Sequence, residues 1–151
     1  MFSSPRRLLS DTRMRDPPLT VLLDSSAILA LLDRGDRDHD SARDMLTQLH
    51  AGRASLFCTN FIRAEAYTLV GVRLSWQMAG QWLRSLDVPV ERITASDEER
   101  AILILLSHQD KGYSFVDATS FAVMERLSLR EAFTFDRHFQ QFGFRTLPQE
   151  S

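Results

Sequence analysis

The sequence predicts an α/β fold: an open, mostly parallel β-sheet flanked by helices. Three observations predict it. Short apolar runs such as "LTVLLD", "ASLFCT" and "REAFTFD" alternate with longer stretches of helical period. The runs are continuous rather than alternating in polarity, as expected of strands buried on both faces of a parallel sheet. With 151 residues and 44% hydrophobic content, the chain can also build one domain with a substantial core.

Taken in order, residues 1–18 are polar and rich in Ser and Arg, and they close on Pro17-Pro18. They are expected to form a flexible N-terminal extension, with a single domain over 19–149. "LTVLLD" is the first strand, ending at Asp24, and "SSAILALLD" starts a helix at once with Ser25 or Ser26 near its cap. "RGDRDHD" breaks that helix, and "HDSARDMLTQLHAG" resumes the helical period until Gly52 closes it. "ASLFCT" is the second strand. Thr59 or Asn60 caps the helix through "FIRAEAYTLVG", and "LSWQMAGQWLRSL" makes the next one. "VPVERI" is a weaker strand. "TASDEERAILILLSHQ" is a helix in which Ser96 and Glu99 are spaced like a capping box. "SFVDATSFAVMERL" is another helix, "REAFTFD" runs from a loop into a strand, "HFQQF" is a short helical turn and "FRTLP" is an edge strand.

Composition narrows the function. The formal net charge of −2 gives no overall attraction to nucleic acid, so such a partner would need a local basic rim. Lys111 is the single lysine among 18 Lys and Arg, so the positive charge is almost all guanidinium, suited to bidentate phosphate contacts. Cys58 is the sole cysteine, which excludes an intrachain disulfide and a cysteine-rich zinc site and reads as a buried, inert thiol. The four histidines lack H-E-x-x-H spacing, which also argues against zinc. His138 is assigned to phosphate contact or surface packing. No signal-peptide pattern and no membrane-length apolar stretch is present, so the expectation is a cytoplasmic protein with no membrane contact.

Two acids stand out against their surroundings. Asp117 lies among Val116, Ala118 and Phe121, and Asp136 follows Ala132-Phe133-Thr134-Phe135. A buried carboxylate without a partner is costly, so each needs a cation or a wet cleft. Ligands of open parallel sheets collect beyond the carboxyl ends of the strands. Asp24 and Asp136 end strand-like runs, Glu65 lies early in the helix after the second strand, and Asp117 lies in the first turn of its helix. All four can therefore meet at one rim. Each also has a purely local role open to it: Asp24 or Asp136 as helix caps, Asp117 in a favourable first turn, Glu65 in an ion pair. A cluster of four would call for Mg2+, with Mn2+ as the other hard-ion candidate.

The segments "VLLDSSAILALLD", "TNFIRAEAYTL" and "YSFVDATSFAVMERLSLREAFTFDRHFQQFGFRTL" resemble the PIN-domain nucleases, especially the VapC-like toxins of type II toxin–antitoxin pairs. The resemblance covers nearly all of the chain after Pro18. It implies a PIN-like three-layer α/β/α fold and a metal-dependent endoribonuclease whose acidic quartet, catalytic and metal-holding, is Asp24, Glu65, Asp117 and Asp136. It further implies that Asp24, Asp117 and Asp136 anchor the ion, and that Glu65 completes its surroundings. Ser25, Ser26, Asn60 and Thr134 are candidates to position water or brace the carboxylates. The implied partners are an RNA substrate, cut to leave a 5'-phosphate and a 3'-hydroxyl, a cognate antitoxin, and a second copy of the chain in a homodimer. Many members carry a further Asp or Asn after the last acid, where this chain has Arg137 and His138.

Substrate grip would fall to Arg34, Arg37, Arg63, Arg73 and Arg137. Two rivals stand beside the nuclease. A haloacid-dehalogenase-like phosphatase needs a second Asp two residues after the first, and position 26 is Ser. A catalytically weak PIN-like scaffold for RNA or protein binding would have no reason to keep four mutually repelling acids.

Overall fold

The computed structural model describes residues 17–149. The extension assigned to residues 1–18 therefore lies outside the described residues, except for its last two prolines. Five strands form one sheet: β1 (Thr20–Leu23), β2 (Ser55–Thr59), β3 (Val90–Glu91), β4 (Glu131–Phe133) and β5 (Arg145–Leu147). Their order is β3-β2-β1-β4-β5, and every neighbouring pair is parallel. Val21 and Leu22 of the central β1 are fully buried, as the unbroken apolar run requires, and Leu22 pairs with Phe57 on one side and Ala132 on the other. "FRTLP" supplies the edge strand, and "VPVERI" shrinks to the two residues of β3 at the opposite edge.

Among the described residues seven α-helices cover the sheet: α1 (Ser25–Leu32), α2 (His39–Ala51), α3 (Asn60–Arg73), α4 (Trp76–Ser85), α5 (Ala95–Ser107), α6 (Phe115–Arg126) and α7 (Arg137–Phe142). The architecture is the three-layer α/β/α arrangement. None of the helices is long and apolar enough to cross a membrane among the described residues. From β1 the chain builds β2 and β3 to one side, then returns to lay β4 and β5 on the other. This reversal opens a crevice beyond the carboxyl ends of β1 and β4, the place where open α/β sheets bind ligands.

Two local expectations need correction. The capping box of α5 is Thr94 with Asp97, not Ser96 with Glu99: Thr94 Oγ1 accepts from the Asp97 amide at 3.1 Å and Asp97 Oδ2 accepts from the Thr94 amide at 2.9 Å. The earlier register wins because Asp97, placed there, also receives the Arg126 guanidinium of α6 at 2.9 and 3.0 Å. The cap of α1 is Asp24, the capping role weighed for it, and Ser25 follows as the first helical residue. And β4 ends at Phe133, so Thr134 and Phe135 lie between the strand and Asp136, which caps α7. Of the two caps offered for α3, the structure uses Thr59, whose hydroxyl accepts from the Ile62 amide at 3.0 Å.

Helix α6 explains how an acid can follow an apolar pattern. Asp117 through Met124 are all buried, so this helix runs through the interior. Tyr113, Phe121, Phe139 and Phe142 then bind α7 to it: Phe121 stacks on Phe142 at 4.5 Å and meets Phe139 and Tyr113 edge-on at 5.0 and 5.2 Å. Cys58 is buried and free, and burial pushes its thiol up to about 11, so it stays an inert thiol at neutral pH. Both tryptophans pack, with Trp82 against the main core and the half-exposed Trp76 over Gly71 and beside Tyr67.

Candidate metal centre

Each acid is placed by the start of a helix or by a neighbour's hydroxyl. Asp24 leaves β1, its amide bonding to Phe133 O at 3.0 Å, and caps α1. Its Oδ2 accepts the hydroxyls of Ser26 at 2.8 Å and Thr134 at 2.9 Å. Asp117 is the third residue of α6 and closes a capping box with Ser114, accepting from the Ser114 amide at 3.1 Å. Asp136 caps α7 by accepting from the His138 amide at 2.9 Å. Glu65, half-buried on α3, accepts the hydroxyl of Ser25.

Side-chain hydroxyls tie β1 to β4. Thr134 Oγ1 accepts from the Asp136 amide at 3.0 Å while donating to Asp24, and Ser26 Oγ accepts from the Phe135 amide at 2.9 Å. One threonine thus fixes two of the acids. Asn60 serves a different place: its Oδ1 accepts from the Ile93 amide at 2.8 Å and holds the chain after β3.

Ligand-capable atoms of Asp117, Asp136 and His138 all lie within 4.8 Å of one another. His138 Nδ1 stands 2.9 Å from Asp117 Oδ2 and 3.5 Å from Asp136 Oδ1, with its ring edge-on to Tyr113. Asp24 and Glu65 are outside that tight group, but their charges reach it. Burial pushes the Asp24 carboxyl up to about 6, and the charges of Asp117 and Glu65 add to this against the opposing hydrogen bonds of Ser26 and Thr134. Burial likewise raises Glu65, helped by Asp117 and Asp136 and opposed by Ser25. Four acids from four separated segments thus share one electrostatic neighbourhood at the switch between β1 and β4.

Those groups fit a hard divalent cation. Carboxylate oxygens suit Mg2+ and Mn2+, and an added imidazole is tolerated by Mn2+. A cation would relieve the crowding that lifts Asp24 and Glu65. Sequence reasoning assigned His138 to phosphate contact or surface packing; the structure sets its ring edge-on to Tyr113 with Nδ1 at 2.9 Å from Asp117 Oδ2. Its place two residues after the cap of α7 was the one available signal, since the amide at that position must turn back toward the capping carboxylate.

Comparisons with known proteins bear on the family and the fold. A family model described as PIN domain matches residues 21–145. The chain is 37% identical over 128 residues to the 23S rRNA-specific endonuclease VapC20 of Mycobacterium tuberculosis, from strains CDC 1551 / Oshkosh and ATCC 25618 / H37Rv. That match takes in 82% of this chain and 95% of the relative. The crystal structure of Mycobacterium tuberculosis VapC20, described as a sarcin-ricin loop cleaving toxin, superposes with a TM-score of 0.74 at 35% identity, covering 83% of this chain and 96% of that one. A toxin-antitoxin complex from Klebsiella pneumoniae shares the fold, with a TM-score of 0.56 at 16% identity over 78% of this chain and 88% of that one.

Proposed function

The chain belongs to the PIN-domain family, and from that premise we propose that it is a metal-dependent endoribonuclease, the toxin of a toxin–antitoxin pair. The observation that carries this reading is the gathering of Asp24, Glu65, Asp117 and Asp136 around the β1–β4 switch, where the buried Asp24 is pushed up to about 6. A scaffold that only bound a partner would gain nothing from that crowding.

In this reading Asp24, Asp117 and Asp136 hold the ion, Mg2+ in the first instance and Mn2+ as its substitute. When bound, such an ion supplies Lewis acidity, making water a better nucleophile near neutral pH and offsetting charge on the phosphate. Glu65, whose carboxyl is raised and half-buried, orients the attacking water and takes up its proton. Thr134 and Ser26 hold Asp24 in register, and His138 orients Asp117 through Nδ1. In-line attack leaves a 5'-phosphate and a 3'-hydroxyl. A cognate antitoxin, a homodimeric state and a cytoplasmic setting belong to the same proposal. The sarcin–ricin loop of 23S rRNA, named for the mycobacterial relative, is the first substrate to try.

The test is cleavage of an RNA carrying that loop, beside unrelated RNAs, by the antitoxin-free chain with Mg2+, with Mn2+ and with chelator. Cleavage should need the ion, and Asp24→Asn and Asp117→Asn should each lower it about 100-fold or more. Cleavage indifferent to chelation and to both substitutions would overturn the proposal.

A further inference from the structure

An acid cluster repels the phosphates on either side of the bond it cuts, and a chain of net charge −2 offers no general remedy. Cations beside the cluster must take those flanking phosphates. The structure separates the five arginines singled out for this task. Arg73 is engaged by Asp33 at 3.8 Å and Asp36 at 3.6 Å. Arg63 is half-buried and close enough to Cys58 for its charge to act on that thiol. Arg37 and Arg137 line a groove of about 940 Å³, and Arg34 does not.

Thr134, Asp136 and His138 line this groove together with residues from the start of α2 and from the α7–β5 segment. Arg37 comes from the loop before α2, and Arg137 is the first residue of α7. The Arg37 side chain is 93% exposed and has the neighbouring Asp38 at 3.7 Å. An exposed pair of that kind is weak, so a phosphate can compete for the guanidinium. Arg137 is exposed as well. Gln140 and Gln141 add amides along the same wall. The lining is mainly polar. A docked protein segment draws most of its affinity from anchors in apolar pockets, and Phe135 and Pro148 are the apolar side chains among these lining residues.

We propose that this groove is the subsite for the RNA strand on one side of the scissile phosphate, an inference that rests on the nuclease reading above. Arg37 and Arg137 hold backbone phosphates through paired N–H donors, and Gln140 and Gln141 meet ribose hydroxyls or base edges. The groove carries the strand away from the acids toward β5, so the substrate enters along this flank.

Steady-state cleavage of the loop RNA by the full chain tests it, with Arg37→Ala, Arg137→Ala, the double variant, and Arg92→Ala as a control at the β3 edge. Each groove variant should raise KM about 3–10-fold with kcat within about 2-fold, and flatten the slope of log(kcat/KM) against log[salt] by about 0.7. Arg37→Lys should recover part of the loss, and Arg92→Ala should match the parent. The same double change placed on Asp117→Asn, read by filter retention of intact RNA, measures binding without cleavage. Weaker retention there supports the groove even if no RNA is cut, an outcome that would count against the nuclease reading alone. Unchanged KM, salt slope and retention in the double variant would overturn the inference. So would normal RNA handling combined with lost binding of a protein partner.

Discussion

Asp24 is 3% exposed and accepts two hydroxyl hydrogen bonds, yet its carboxyl is pushed up to about 6. Lost hydration outweighs the two donors, and Asp117 and Glu65 add to the effect. The sign of its pH linkage follows. The folded-state value lies above the ordinary 3.8, so the contribution of Asp24 to cation-free stability is fully present below about 3.8 and is lost as pH rises through about 6. A shift of about two units corresponds to at most about 3 kcal/mol. Asp24→Asn keeps an acceptor for Ser26 and Thr134 and remains a good helix cap. In cation-free urea unfolding it should therefore be about 1–3 kcal/mol more stable than the parent at pH 7.5, and close to it at pH 4. A variant destabilised at pH 7.5 would contradict this account of Asp24. At this scale the sequence was informative in an instructive way. Helix capping was weighed against ligation for Asp24 and Asp136, and a favourable first-turn position for Asp117; the structure shows Asp24 and Asp136 as N-caps and Asp117 closing a capping box with Ser114, bonds that fix where the three carboxylates sit. The contact of His138 with Asp117 was not legible, because the two lie 21 residues apart and meet only through the packing of α7 on α6.

At the scale of elements, the separation of Asp117 from Asp136 depends on how α6 and α7 pack. Phe121 is fully buried and touches four aromatic neighbours, Tyr113, Phe139, Phe142 and Phe144, that lock these helices together. Phe121→Ala should cost about 3–5 kcal/mol in urea unfolding. The cavity also releases α7, so cation affinity should fall although no acid has changed; retention of parent affinity by the folded variant would separate site geometry from this cluster. The helices and central strands were legible because their apolar runs and helical periods are long enough to be distinct. The edges were not. Two residues make β3, and its pairing to β2 depends on Cys58 and Thr59 being its neighbours, which no local pattern declares. The register of α5 was equally hidden, since Thr94/Asp97 and Ser96/Glu99 offer similar spacing and the choice is made by Arg126 from another helix. Strand order itself escapes local patterning, because helical crossovers of similar length can place the next parallel strand on either side.

For the whole molecule, two buried aspartates pull stability in opposite directions with pH. Burial alone would raise Asp97, but hydrogen bonds from Arg126 and Thr94 outweigh it and hold the carboxyl below its usual range. Its contribution is present above the ordinary carboxylate value and is lost on acidification through the lowered one. Asp24 and Glu65 are raised, and their contributions are lost as pH rises. Without a cation, the fold should therefore be most stable in mild acid, between about pH 4 and 6. Mg2+ binds the ionised carboxylates, so its stabilisation should be small at pH 5, grow by pH 7.5, and move the optimum toward neutrality. Thermal unfolding across that range with and without Mg2+ reads this directly; an equal shift in Tm at both pH values would count against it. The central claim is that acids far apart in the chain, joined by the β1–β4 switch, form one divalent-cation site. Isothermal titration of Mn2+ into the parent, Asp24→Asn and Asp117→Asn tests it most directly. Saturable binding by the parent, weakened about 10-fold or more by each substitution, is the predicted result. Equal affinity in all three proteins would contradict the claim.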